Sequence, residues 1–528
     1  MRSWRWLGRF GLIAAALAVP QPLLAEAPHK GGTLVFGVNA GDPPHYDFHA
    51  LSNFNALHVL SPHYSTLLKA APGAYPKLTG DLAQSYEVDA DAKVYTFHLH
   101  GNVKFHDGSP LTSADVKASY ERLRDPPPGV VSLRKALVSD IEAIETPDAR
   151  TVVFKLRRTN RAMPYIFANQ WNVIYSAARL KADPRFPERN VIGSGPFKFV
   201  EHARGSYWVG QRFEPYFQPG LPYLDGYRAM FLQGPALANA LQAGQIVAEF
   251  RGFAPSDKDR LKQAMGEKIV AQESPWLTGM MIAFNCKKPP FDDARVRRAL
   301  SLAVDRWQAS EILRRNSILD KVGGFLRPGF ALAIPDDEIV KLPGFARDIK
   351  ASREEARRLL KEANVGPLKF KLLNRTTPNP YLAAGVYLID QWRQIGVEVE
   401  QQQVVDSQYL ASMVNGSYEV AIDYQGDMYD EPDYQLARYL SSDLSENRAQ
   451  FIDRDLDALY EAQRNVADPI ERAKRIRAFE ARLLEKAYTV PFLWWRRIVL
   501  MSPRVKGYTM SPTHLVYQQL EDVWLQPE

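Results

Sequence analysis

The sequence predicts a mixed α/β protein of several lobes, and three observations carry that reading. Strand-like and helix-like patterns alternate along the chain, with no internal repeat and no low-complexity tract. The 528 residues correspond to about three or four domain-sized units at roughly 100–200 residues each. The composition, 46% hydrophobic and 24% charged, is that of a globular chain able to bury a large core. Only one cysteine is present, Cys286, which excludes internal disulfides and four-thiolate zinc or iron–sulfur sites. It is expected as a buried, small apolar residue.

The elements follow in order. Residues 33–38 (Thr-Leu-Val-Phe-Gly-Val) form a short apolar run bounded by glycines, the pattern of a buried strand. Residues 92–99 alternate, with Tyr95, Phe97 and Leu99 on one face and Val94, Thr96 and His98 on the other, as in a half-buried strand. Asp107-Gly108 turns the chain, and Thr112 or Ser113 caps a helix with Asp115 in its first turn and Tyr120 and Leu123 on its apolar side. Asp125-Pro126-Pro127-Pro128-Gly129 ends it. Strands are expected at 150–156, 196–201 and 276–285. A single amphipathic helix then carries Val296, Leu300, Val304 and Trp307 inward, with Arg295, Arg297 and Arg298 on its other side. Ser352 and Glu355 suggest a capping box for a charged helix at 353–364. A β-α-β unit is expected over 368–373, 381–395 and 397–403. Helices at 454–466 and 469–487 and a strand at 498–501 close the chain.

The amino terminus reads as a secretory signal. Arg2, Arg5 and Arg9 precede the short apolar run Phe10 to Val19, and small residues follow Pro20-Gln21-Pro22. Cleavage after Ala27 would place Pro28 next, so the cut is expected after Ala25. The run is shorter than the ~20 residues that span a bilayer, and no cysteine lies near the cut to take a lipid. The mature protein is therefore expected to be exported, soluble and monomeric. The formal charge is +6, but without those three arginines 63 basic residues face 60 acidic ones. A nucleic-acid partner has no electrostatic footprint here.

Signatures of catalysis are missing. There is no Gly-x-Ser-x-Gly elbow, no phosphate loop ending in Gly-Lys-Ser/Thr and no His-Glu-x-x-His pair. Gly193-Ser194-Gly195-Pro196 is glycine-rich, but Pro196 keeps it from opening a helix around a dinucleotide, and a turn is expected. Eight of the ten histidines lie between His29 and His106. His45 and His49, four apart, and His98 and His100, on one strand face, could hold a metal or a metal chelate. Against that, His98 and His100 fit the solvated face of an alternating strand. The stretch from Asp423 to Tyr434 interleaves carboxylates with tyrosines, which suits a cation flanked by apolar groups. It lacks calcium-loop spacing, and a solvated loop is the alternative.

Several blocks carry a family resemblance. They are Leu82-Ala83-Gln84-Ser85-Tyr86, Tyr95-Thr96-Phe97-His98-Leu99 and Val103-Lys104-Phe105-His106-Asp107-Gly108-Ser109-Pro110-Leu111-Thr112-Ser113-Ala114-Asp115-Val116. Gly193-Ser194-Gly195-Pro196-Phe197 is another. Phe284-Asn285, Pro289-Pro290-Phe291-Asp292-Asp293 and Arg295-Val296-Arg297-Arg298-Ala299-Leu300 follow, and Val505-Lys506-Gly507-Tyr508 closes the series. In this order the chain resembles the family 5 extracellular solute-binding proteins of ABC importers, which include dipeptide- and oligopeptide-binding proteins. His100 departs from the Arg or Lys usual there.

The resemblance implies the two-lobed, type II periplasmic binding protein fold, with an extra domain inserted in the first lobe. Residues 26–72, 190–280 and 495–528 would form lobe I, 73–189 the inserted domain and 281–494 lobe II. It further implies capture of a short peptide or an amino-acid-derived solute such as an opine. The closed form would then dock on a membrane permease, with no catalysis and no cofactor. Arg375, in Leu372-Leu373-Asn374-Arg375, matches the arginine that reads the ligand carboxylate. Asp427 corresponds to the aspartate that holds the ligand ammonium, but it lies five residues before Pro432, where the family has four and this chain has Met428. Trp276, Tyr424 and Trp494 are expected to line the cleft. His45 would contribute if the ligand were a metal chelate or haem, and an oligosaccharide held by stacked aromatics is a further alternative.

Overall fold

The computed structural model describes residues 27–440 and 447–527; the expected signal segment and its cleavage site lie outside the described residues. One sheet of eleven strands runs through both lobes. Its order is Glu398–Val404, Lys369–Arg375, Val420–Gly426, Val270–Phe284, Thr489–Met501, Ala248–Glu249, Thr33–Val38, Gly226–Phe231, Tyr207–Arg212 and Phe197–Ala203, with Leu319–Lys321 added beside Thr489–Met501. The long strands Val270–Phe284 and Thr489–Met501 pair antiparallel and cross from one lobe to the other. Their ladder runs from Val270↔Met501 to Pro275↔Arg496, breaks, and resumes from Gly279↔Trp494 to Ala283↔Thr489, with a further shift before Met281↔Pro491. Such interruptions bend and twist a strand pair locally.

The first lobe packs Leu34, Phe36 and Val38 against Tyr227 and Phe250. A separate four-stranded antiparallel sheet lies within the same core: Ala83–Val88, Val94–Leu99, Thr151–Leu156 and Ile141–Asp148. The helix Ser113–Arg124 buries Val116, Tyr120 and Leu123 over it, and Phe97, Phe154 and Phe167 meet at centroid distances of 4.7–5.8 Å. The second lobe has its own core around Ile282, Phe284, Leu300, Leu372, Trp392 and Phe479. Here Lys369–Arg375, the helix Ala383–Arg393 and Glu398–Val404 make the expected β-α-β unit with a parallel ladder.

Local chemistry explains where expectation and structure meet. Thr112 and Asp115 form a reciprocal capping box. Gly193 and Gly195 lie against the backbone of His63, where an added Cβ would meet its carbonyl oxygen or carbon at 2.0 and 2.5 Å; close approach fixes both glycines. Cys286 is half-buried, and burial pushes its thiol up to about 11.

Three expectations need correction. The single helix through Trp307 is two, Ala294–Leu302 and Arg306–Leu313, because Asp305 accepts from the Gln308 N–H and starts a new helix. Arg297 is buried, donating to carbonyls of Phe291, Asp292, Lys486 and Ala487 rather than facing water. The charged helix begins at Ile349 under an Asp348 cap, and Ser352 instead bonds back to the Asp348 carbonyl.

Candidate functional site

An arginine–aromatic cluster drawn from both lobes sits where the crossing ladder breaks. Trp276 meets Trp495 edge-on at 5.6 Å and His514 at the same distance. From the first lobe, the Arg251 guanidinium lies over Phe54 at 4.4 Å and Trp276 at 5.5 Å. From the second, Trp495 adjoins Tyr381 at 6.1 Å and Tyr424 at 6.2 Å. Tyr381, Tyr409 and Tyr424 surround Arg375 at 4.7, 3.6 and 5.2 Å. Tyr424 keeps 43% of its surface exposed, whereas Tyr381, Tyr409, Trp495 and Trp276 are buried, so Tyr424 is the open face of this wall.

Buried polar groups hold the first-lobe side in place. Arg251 follows the short interior strand Ala248–Glu249, and the buried Glu249 carboxylate accepts from the N–H groups of Arg251 and Gly252 at 2.8 and 2.7 Å. Burial pushes Glu249 up to about 7. Arg497, fully buried on the crossing strand, donates to the carbonyls of Phe250, Arg251, Ser511 and Thr513 and to the Tyr508 hydroxyl. It thereby clamps the Arg251 turn to the carboxy-terminal segment.

The two cleft arginines differ in charge balance. Arg375 has Asp406 at 3.3 Å and Asp423 at 3.7 Å, and it donates to the Ile422 carbonyl. Arg251 has no carboxylate within ion-pair distance among the described residues, and its Nε is buried without a hydrogen-bond partner. Burial lowers its pKa, yet a guanidinium remains charged at neutral pH. The Trp495 indole N–H is likewise buried and unpartnered.

The acidic stretch is not a vacant cation site. Asp423 pairs with Arg448 at 2.8 Å, Asp427 with Arg438 at 2.6 Å, Asp430 with Arg327 at 2.7 Å and Glu431 with Arg472 at 2.6 Å. Asp433 takes Arg464 at 3.2 Å and Arg472 at 3.1 Å. This loop instead joins the lobes. Tyr429 and Tyr434 donate to the carbonyls of Ala168 and Ala162 at 3.0 and 2.8 Å, and the Asp430 N–H donates to the Tyr75 hydroxyl at 2.9 Å. Met428, standing where the family has aspartate, is buried with Tyr429 in the first-lobe core.

The expected site residues therefore divide. Arg375, Tyr424 and Trp276 meet in the cluster. Asp427 lies elsewhere, on a cavity of about 590 Å³ shared with Asp140, Tyr165, Tyr434 and Arg464. Trp494 is core: it is 2% exposed, donates to the Gly324 carbonyl at 3.0 Å and packs on Gly279. Its neighbour Trp495, also buried, points the other way and joins the cluster, since adjacent strand residues face opposite ways. His45 stays outside the cluster, with Nδ1 accepting from the Asp47 N–H.

The other histidines of that region are mostly structural. His49, His58 and His63 are buried and hydrogen-bonded, and burial pushes each down to about 3. Among the described residues no three His, Cys, Asp or Glu side chains gather as a metal site. Sequence reasoning missed Arg251, Trp495, Tyr381 and Tyr409. Only the Trp494-Trp495 pair carried a signal, and it named two candidates for one position.

This architecture, two lobes sharing crossing strands around an aromatic cleft, is that of a type II periplasmic binding protein. Residues 77–447 match the bacterial extracellular solute-binding proteins, family 5 (middle), and the chain belongs to that family. Its members are transport receptors rather than enzymes, and they are periplasmic. The chain is 30% identical over 482 residues to Di/tripeptide-binding protein 4 of Pseudomonas aeruginosa, covering 85% of this chain and 87% of that one. It is 28% identical over 469 residues to Heme-binding protein A of Haemophilus influenzae, covering 82% and 81%. The solved structure of AgaA from A. tumefaciens R10 in complex with agropinic acid superimposes with a TM-score of 0.77 at 27% identity, covering 94% of this chain and 99% of that one.

Proposed function

We propose that the protein is the solute receptor of an ABC importer, capturing a short peptide or an amino-acid-derived acid between its lobes and delivering it to the permease. The observation that carries this is the arginine–aromatic cluster at the interrupted crossing strands, which offers flat apolar faces and cationic groups to one enclosed ligand. Closure about those strands would bring Arg251 toward Arg375 and Tyr424, with the Trp276–Trp495 pair, already in contact at 5.6 Å, between them. The di/tripeptide in one relative's name and the agropinic acid bound in AgaA support the same class of solute. The scattered, internally bonded histidines favour it over haem or a metal chelate.

Export follows from the basic and apolar amino terminus, with cleavage after Ala25 and no lipid anchor. Residues 26–72, 190–280 and 495–528 constitute lobe I, 73–189 the inserted domain and 281–494 lobe II.

The test is a thermal-shift panel on protein stripped of ligand by unfolding and refolding. A ligand at 100 times its dissociation constant adds about 2.7 kcal/mol. Shifts with dipeptides, tripeptides or opines are expected. Shifts confined to oligosaccharides, haem or nickel–histidine would overturn the reading.

A further inference from the structure

The charges around the cleft are unequally spent. Asp423, Asp427, Asp430, Glu431 and Asp433 are each paired with an arginine, and Met428 between them is buried in the first-lobe core. A ligand cation therefore meets no uncommitted carboxylate from this loop. Arg375, expected to read a ligand carboxylate, already faces Asp406 and Asp423 and is enclosed by three tyrosine rings.

Arg251 is the opposite case. Its guanidinium lies 4.4 Å from the Phe54 ring and 5.5 Å from the Trp276 ring, its turn is fixed by Glu249 and Arg497, and its Nε is buried with nothing to donate to. Glu249 spends its two oxygens on backbone N–H groups. The nearby Trp495 indole N–H is a second buried donor without an acceptor. A site with spare donors and no spare carboxylate selects acceptors, and a guanidinium fork selects a carboxylate. Leaving buried donors unsatisfied is costly, so a ligand that supplies the acceptors gains discrimination over one that does not.

We propose that Arg251, from the first lobe, is the anion-reading residue of this receptor, and that its ligand is an amino-acid-derived acid recognised through its carboxylate and not through a free ammonium. This rests on the receptor function proposed above and names the substrate class of the same site. Arg375 becomes a positioning residue that holds the tyrosine wall.

The experiment is titration calorimetry on refolded, ligand-free protein with three matched probes: alanyl-phenylalanine, lactoyl-phenylalanine (hydroxyl in place of the ammonium) and alanyl-phenylalanine amide (no carboxylate). The lactoyl acid should bind within about threefold of the dipeptide, and the amide about tenfold or more weaker. In Arg251→Gln the dipeptide should fall to the level of the amide, whereas Arg251→Lys, which keeps the charge, should retain part of the preference. Tryptophan fluorescence of both variants checks folding, and the wild-type trio decides the ammonium question by itself. A weak lactoyl acid with an undiminished amide overturns the inference, as does a carboxylate preference that survives Arg251→Gln but vanishes in Arg375→Gln. Wild-type protein that binds none of the three, and no opine in the thermal-shift panel, overturns the receptor reading and the inference together.

Discussion

Glu480 gives the sharpest stability prediction. It lies on the helix Pro469–Lys486, fully buried, with Oε1 accepting from the Phe325 N–H at 2.6 Å and Oε2 without a partner. The loop it supports carries Arg327, the partner of Asp430. Burial raises its pKa from an ordinary 4.5 to about 7. The native protein thus holds this proton more tightly than the unfolded chain. Stability from that proton is complete below pH 4.5 and is lost as pH rises to about 7. At 1.36 kcal/mol per unit, the loss across this window is about 3 kcal/mol. Glu480→Gln keeps an oxygen for the Phe325 N–H and cannot ionise. Its stability relative to wild type should therefore climb by about 3 kcal/mol between pH 4.5 and pH 8, whatever constant offset the amide introduces. The assay is urea unfolding of both proteins across that range, followed by tryptophan emission with m-values compared. Glu249 titrates in the same window in both proteins and cancels in the difference. A difference that stays flat with pH would refute the reasoning.

Three further outcomes are expected. Arg497→Met should strip four carbonyls and a hydroxyl of their donor and cost about 3–5 kcal/mol in urea unfolding. Tyr429→Phe with Tyr434→Phe removes two interlobe hydrogen bonds; at about 0.5–1.5 kcal/mol each, affinity for the best probe should fall about 5- to 150-fold by calorimetry, with scattering showing a more open particle. Gly195→Ala drives a Cβ into the His63–Tyr64 backbone and should cost about 1–3 kcal/mol, read as a lowered melting temperature.

What the sequence made legible was local. The glycine-bounded run at 33–38, the alternation at Tyr95–Phe97–Leu99, the Thr112–Asp115 capping box and the β-α-β unit after Leu368 all rest on short-range patterns, and each recurs in the structure. Most of the misreadings come from pairing across long sequence distances, whereas the new helix at Asp305 and the Asp348 cap are local. Arg297 looked solvated until the helix end at Lys486 supplied its acceptors. The carboxylates from Asp423 to Asp433 looked vacant because Arg327, Arg448, Arg464 and Arg472 lie far along the chain. Trp494 and Trp495 are one residue apart and both buried, yet only the strand's pairing in space decides which indole meets Trp276. Arg251 carried no pattern at all, since its meaning lies in a partner it lacks.

The broken ladder between Pro275 and Gly279 has a mechanical consequence. Two bodies that share a continuous sheet cannot slide past one another; they can only wring it, and torsion gathers where fewest hydrogen bonds resist. Trp276 stands on that stretch, edge-on to Trp495 of the opposing strand. The indoles that would grip a solute are thus mounted on the torsion joint itself, so the receptor carries a built-in optical gauge. Any twist of that joint would change the mutual tilt of this pair, which stands at 83° here.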